Sequence, residues 1–281
     1  MNENKWKKFK KNYLSRAKEK LIGMEDDYVS ACAKFIAYEK TNDPIWMLNA
    51  KNTDISGLII NSRNTILPVF FGNKEVPSPG FLKSLMRVKN IHSVQGIKDE
   101  VKFMELEIEK AGIRPQDVID YDLMSIYEKI DMSAQKAGPS GLVLRVPQMA
   151  DINEMAPLQA AYELEEVIPK GSVLNPAASR VNAENLIAGE RILASELDGR
   201  LVGKINVNAV SFNRYQIGGV YVHPDYRGRG IARIMAGQFI NSLINNGKGV
   251  TLFVKKINNA AIRLYSGLGF KKLNDYRISY Y

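Results

Sequence analysis

The chain has one cysteine and two histidines among its 281 residues. A lone thiol, Cys32, excludes an internal disulfide and suits a reducing compartment, so a cytoplasmic address is expected. Cys32, His92 and His223 lie far apart in sequence, and no metal site is expected from them. His92 is read as structural and His223, just before Pro224, as a loop former. No uninterrupted apolar run approaches the ~20 residues of a membrane-spanning helix. The opening MNENKWKKFKKNYL has basic residues but neither an apolar core nor a small-residue cleavage site, which argues against a secretory signal.

The remaining composition, 45% hydrophobic and 25% charged, is that of a soluble globular protein, and the length suits two domains. The net charge of +9 is concentrated at the start, where residues 1–20 hold eight Lys and Arg against two Glu. Trp6, Phe9, Tyr13, Ala17 and Leu21 recur at helical spacing, which predicts a helix over 5–22 with one aromatic face. Through residues 5–20 such a helix would either touch nucleic acid, an acidic partner or a membrane surface, or dock by its aromatic face with lysines in solvent. An apolar stripe beside a charge run is what an ordinary surface helix shows, so docking is the preferred reading.

A breaker-rich stretch, DMSAQKAGPSG at 131–141, divides the chain into expected domains 1–138 and 139–281. Before it, helical patterns at 25–40, 81–88 and 99–112 mix with strand-like runs at 46–50, 55–62, 65–71 and 92–96; the run 118–128 closes the half. After it come a strand at 142–146, a helix from Asp151 through Val167, a second helix over 177–189, and a hairpin turning at Asp198-Gly199. Then follow a strand at 214–222, a helix from Gly230 to about Asn245, a strand at 250–254, a helix over 258–268 and terminal strands near FKKL and YRISYY. The expected class is α/β of the α+β type, a mixed and largely antiparallel sheet flanked by helices.

The densest signal is HPDYRGRGIA at 223–232. A strand that turns and delivers glycines to a helix N-terminus exposes unpaired N–H groups at the positive end of the helix dipole. Glycines let the backbone approach an oxyanion, and Arg227 and Arg229 add delocalised charge. This predicts a pyrophosphate site. The spacing is neither GxxxxGK[ST] nor GxGxxG; it is Arg-x-x-Gly-x-Ala, carried by Arg227, Gly230 and Ala232. Downstream, NNAAIRLYSGLGF at 258–270 holds Asn258, Ala261, Tyr265, Gly269 and Phe270.

Together these two motifs resemble the GNAT acetyltransferase superfamily over residues ~142–281. The rhythm of the first half further suggests a degenerate copy of the same fold, because PVFF runs into GNKEVPSPGF, which has no arginine–glycine loop. The resemblance implies acetyl-CoA as co-substrate, with no metal, and a primary amine on a small molecule or peptide as acceptor. It implies that main-chain groups of Val220, Tyr221 and Val222 line the pantetheine arm and that a bulge at Gly218-Gly219 aims an N–H at the thioester carbonyl. The N–H groups of Arg227, Gly228, Arg229, Gly230, Ile231 and Ala232 would hold the pyrophosphate, and Asn258 would touch the arm. Tyr265 would stand near the sulfur. Full proton transfer from an ordinary tyrosine to a thiolate is uphill by about 2 kcal/mol, so its role is a hydrogen bond to developing charge. The resemblance also leads one to expect a glutamate base on the strand before the loop, where this chain has Gln216 instead. Glu165 and Glu166 are candidates to bind the acceptor or relay its proton, while Glu163 is read as a solvated helix end. Acceptors from protein N-termini to lysines, polyamines, amino acids and antibiotics stay open. The other function class is a non-catalytic regulator that binds acetyl-CoA.

Overall fold

The computed structural model describes residues 6–41, 43–49, 54–72, 91–133, 137–168, 171 and 173–281. The expected helix at 81–88 lies outside the described residues. Strands β1 (Trp6–Lys8), β2 (Ile45–Asn49), β3 (Ile55–Ser62), β4 (Thr65–Phe70), β5 (Ser93–Ile97) and β6 (Asp117–Ile126) come from the first half. The second supplies β7 (Val143–Arg145), β8 (Ile192–Leu197), β9 (Arg200–Val210), β10 (Arg214–Val222), β11 (Gly249–Lys255) and β12 (Lys271–Tyr280). All twelve form one sheet in the order β1-β2-β3-β4-β5-β12-β6-β11-β10-β9-β8-β7. The mixed, largely antiparallel α/β architecture expected from the sequence is the one observed.

Helices α1 (Leu14–Gly23), α2 (Val29–Thr41), α3 (Lys98–Glu109), α4 (Ile152–Tyr162), α5 (Pro176–Ala188), α6 (Ile231–Ile244) and α7 (Asn259–Gly267) cover both faces. That is why β3 reads as an almost unbroken apolar run: Leu58 and Ile60 join the core under α1 and α2, while Ile59 joins the core under α3. In the second half α6 packs on Ile205, Ile217 and Leu252, and α4 and α5 close over Ala194, Leu201 and Tyr221. Cys32 is fully buried, and burial pushes its thiol pKa up, so it serves packing.

The N-terminal expectation needs correction. Residues 6–8 are a strand, with Trp6 opposite Leu48 on β2, and helix begins only at Leu14 after a tight turn at 11–13. The helical spacing of the aromatics arises because Trp6 packs edge-on against Phe70, while Phe9, Ala17 and Leu21 are buried. The FKKL and YRISYY segments are one strand, β12, with an irregularity between Lys272 and Asn274.

Each half contributes the same succession. A strand, two helices and a meander lead to a short parallel pairing, β4 with β5 through Thr65↔Ser93 and Ile66↔Val94, and β10 with β11 through four residue pairs. A helix then leads to a last strand, and these last strands are exchanged. β6 pairs with β11 of the second half, and β12 lies between β5 and β6. The halves are also tied outside the sheet. The buried carboxylate of Glu25 accepts from the Ser211 hydroxyl and the Asn213 N–H (2.7 Å), Asp26 pairs with Arg214 at 2.6 Å, and Ser30 donates to Gln216 at 2.6 Å. These contacts seat the start of α2 on the β9–β10 hairpin.

The exchange carries a test. Residues 139–281 expressed alone lack β6 and expose edges of both β11 and β12, so this fragment is expected to aggregate, and co-expression with residues 1–138 to rescue it. A monomeric fragment 139–281 with a cooperative urea transition would show that the exchange is dispensable.

Candidate active site

The site starts where two parallel strands part. Pairing of β10 with β11 ends at Ile217↔Leu252, and beyond it the strands diverge around a cleft of about 590 Å³. On the other side of β10, Gly218 pairs with Asn206 and Tyr221 with Lys204, so Gly219 and Val220 together face Ile205. This is the bulge expected at the glycine pair. Gly219 adopts φ +61° and a Cβ there would meet Asn206 and Lys204, so this position requires glycine, while a Cβ at Gly218 would displace the Asn208 amide.

The 223–232 segment turns through Pro224–Tyr226 and reaches α6 with Gly228 at φ +76° and Gly230, its N-cap, at +80°. Among the described residues no protein acceptor takes the N–H groups of 228–232, whereas the N–H of Arg227 bonds Pro224 O at 3.1 Å. The free donors thus begin one residue later than expected. Side chains surround rather than line this nest. Arg227 donates from Nε to Val222 O (2.8 Å) and from Nη2 to both oxygens of Glu165 (3.0 and 2.9 Å), and it lies over the Tyr221 ring. Arg229 packs over Tyr226 and donates to Asp225 O.

Helix α4 runs on into a wide π-helical turn, Glu163–Val167, that separates three glutamates which look alike in sequence. Glu165 is held by Arg227. Glu166 reaches the cleft, paired with Lys255 at 3.1 Å and accepting from Asn258 Nδ2 at 3.1 Å. Glu163 is no solvated helix end: it is buried and accepts from Gln159, Ser179 and Asn182. Burial opposes its charge, but these donors and the nearby Lys204 outweigh it and hold its pKa below the usual range. Asn258 caps α7 by accepting from Ala261 N at 3.0 Å. Tyr265, on α7, lines the cleft with its ring buried against Phe270. Burial, then Tyr162 and Glu166, raise its pKa, so its hydroxyl stays protonated and is a donor.

Residues 158–270 match the Acetyltransferase (GNAT) family. The C-terminal half contains a GNAT-family acetyltransferase domain. A curated acetyltransferase of Yersinia pestis is 32% identical over 85 residues, which cover 29% of this chain and 58% of that protein. The chain thus spans a little over half the length of the curated relatives it matches. Among solved structures, a GCN5-related N-acetyltransferase from Sphaerobacter thermophilus shares the fold at 16% identity with a TM-score of 0.62, covering 99% of this chain and 95% of that one. A tandem GNAT protein from the clavulanic acid biosynthesis pathway does so at 13% identity with a TM-score of 0.60, covering 99% and 98%.

Sequence reasoning about the GNAT domain passed over Lys204, which is fully buried beneath the bulge. Lys204, Asn206 and Asn208 lie on one face of β9. Lys204 Nζ donates to Asn206 Oδ1 and to Gly219 O, both at 3.0 Å, and Asn206 Nδ2 donates to Asn208 Oδ1 at 2.8 Å. The ammonium therefore ties the bulge to its neighbour strand. A lysine inside the apolar run LVGKINV was the available signal. Among the described residues, no three His, Cys, Asp or Glu side chains converge as a metal site would need.

Burial lowers the Lys204 pKa to about 7, with the Glu163 carboxylate opposing. Between about pH 7 and the ordinary lysine value of 10.5, the folded protein gives up a proton that the unfolded chain keeps. Stability should therefore rise with pH across this window, while below pH 7 both states are protonated and the burial penalty stands in full. Lys204→Met should remove a slope of up to about 1.4 kcal/mol per pH unit, read by urea unfolding at several pH values. Parallel profiles for the two proteins would show that Lys204 does not titrate there.

Proposed function

We propose that the protein is an acetyl-CoA-dependent N-acetyltransferase that acetylates a primary amine by direct attack. The observation that carries this reading is that β10 brings three features together: it parts from β11 and bulges at its glycines along one cleft, and it then leads through the 223–230 turn to a helix N-terminus with free N–H groups. Bound acetyl-CoA supplies the activated acetyl group; the chain supplies everything that orients it. The N–H groups of Gly228 to Ala232 suit the pyrophosphate, and the main chain of Val220, Tyr221 and Val222 suits the pantetheine amides. The bulge suits an oxyanion donor. Arg227 and Glu165 brace the loop from the side. Glu166, in the cleft beside Asn258, is the carboxylate placed to influence the incoming amine. In the transfer the N–C bond forms, the C–S bond breaks, the amine gives up a proton, and the thiolate takes one. Tyr265 donates a hydrogen bond to sulfur as its charge develops. In this reading 1–138 and 139–281 are two domains, the first a degenerate copy without a phosphate loop.

Charge-assisted hydrogen bonds are worth about 1.5–3 kcal/mol each. Gly230→Glu puts a carboxylate and a strained φ into the nest, so acetyl-CoA affinity should fall about tenfold or more. Calorimetry on the folded variant checks this, and unchanged affinity would remove the loop from the site.

Tyr265→Phe keeps the ring and its packing. Turnover should drop by about 10²–10⁴-fold with little change in acetyl-CoA affinity, because the lost bond develops only as the thioester breaks. A non-catalytic acetyl-CoA-binding regulator would instead release no thiol with any amine. Wild-type turnover in the Phe variant would pass the donor role to another group.

A further inference from the structure

The acidic and basic side chains that line the cleft are Lys34, Glu166, Arg191 and Lys255. Glu166 and Lys255 pair with each other at 3.1 Å. Glu165, the neighbouring carboxylate, is taken by Arg227. Among the described residues, neither Lys34 nor Arg191 has a carboxylate partner. Among the described residues the cleft therefore presents two cations without a carboxylate partner and no carboxylate without a cation partner.

Both cations come from segments that adjoin β9. Ser30, Ala33, Lys34 and Ala37 form the face of α2 that lines the cleft, and Ser30 anchors that face to Gln216 on β10. Arg191 directly precedes β8, and its carbonyl accepts from Val207 N at 2.9 Å, which sets it beside the Val207–Val210 stretch of β9 that also lines the cleft. α2 packs on that strand. The phosphate nest, Asn258 and Tyr265 come from α6, α7 and the loop before them. Gln95, Asn208 and Gln216 line the same cleft and add hydrogen-bonding groups.

We propose that Lys34 and Arg191 bind an oxyanion group of the acceptor, so that the acceptor is a primary amine carrying a carboxylate or phosphate. This rests on the transferase reading for the word acceptor, though the anion site itself does not. Arginine's planar fork and lysine's point charge suit an oxyanion, and a polyamine finds no free carboxylate here. The first half thereby contributes one of the two binding cations.

The test uses the full chain, saturated with CoA, and four matched amines: β-alanine, aminoethylphosphonate, β-alaninamide and ethylenediamine, each with longer homologues. Calorimetry is expected to show at least one anionic series binding about tenfold or more tighter than its amide, and the stronger of the two identifies the group. Lys34→Gln and Arg191→Gln should each erase most of that difference, and Lys34→Glu with Arg191→Glu should turn preference toward ethylenediamine. Equal binding of the amide or diamine, no binding by any anionic amine, or a preference that survives both Gln substitutions overturns the proposal. Thiol release from acetyl-CoA separates the two readings. Tight anionic binding without release leaves the anion site standing and removes the transferase reading. Acetylation that favours the diamine keeps the transferase and removes the anion site.

Discussion

Two neighbouring parallel strands cannot keep their hydrogen bonds if one of them is pulled aside, and the second half is organised around that constraint. β10 and β11 stay paired for only four residues, then part. The groups left without a strand partner become available to a ligand, which is why the cleft opens there and nowhere along the neighbouring β9–β10 ladder. What keeps the strands apart is packed on the far side of β10: two glycines, two asparagines and a buried lysine that lock the bulge to β9. The nest of free N–H groups follows because β10 then delivers its loop to the start of α6.

The first half supports the same place from above. Its buried Glu25 and the neighbouring Asp26 and Ser30 grip the β9–β10 hairpin, and α2 consequently forms one wall of the cleft. The first half thus shapes the cleft through α2. The two halves are alike in element order and contribute differently: the second carries the arginine–glycine loop, and the first supplies one wall of the cleft.

Much of this was legible from residue patterns. β3 and β10 fall where alternation and apolar runs place them, and the loop and bulge follow from glycines whose positive φ only glycine takes cheaply. Three kinds of feature were not. Residues 6–8 carry a helical spacing of aromatics yet pair as a strand, because Trp6 finds Leu48 and Phe70 across the sheet, and tertiary contact overrides local period. The sequence pattern sets Glu163 apart as the solvated one of the three glutamates, whereas the π turn buries it and leaves Glu165 and Glu166 to Arg227 and Lys255. Strand exchange leaves no local trace, since nothing in YRISYY states that its neighbours are Ser93–Ile97 and Asp117–Ile126. Lys34 and Arg191 gave no signal for the same reason: their meaning comes from what fails to stand opposite them.

The position of β12 also bears on how the protein is made. β5 and β6 leave the ribosome early, and the strand that belongs between them is translated only after the whole acetyltransferase domain up to Phe270. At about 5–20 residues per second, that is a wait of roughly 7–30 seconds with unpaired backbone edges on both strands. The nascent first half is thus a natural client for chaperones, and synonymous changes that slow translation between β6 and β12 would lengthen its exposure without altering a single residue.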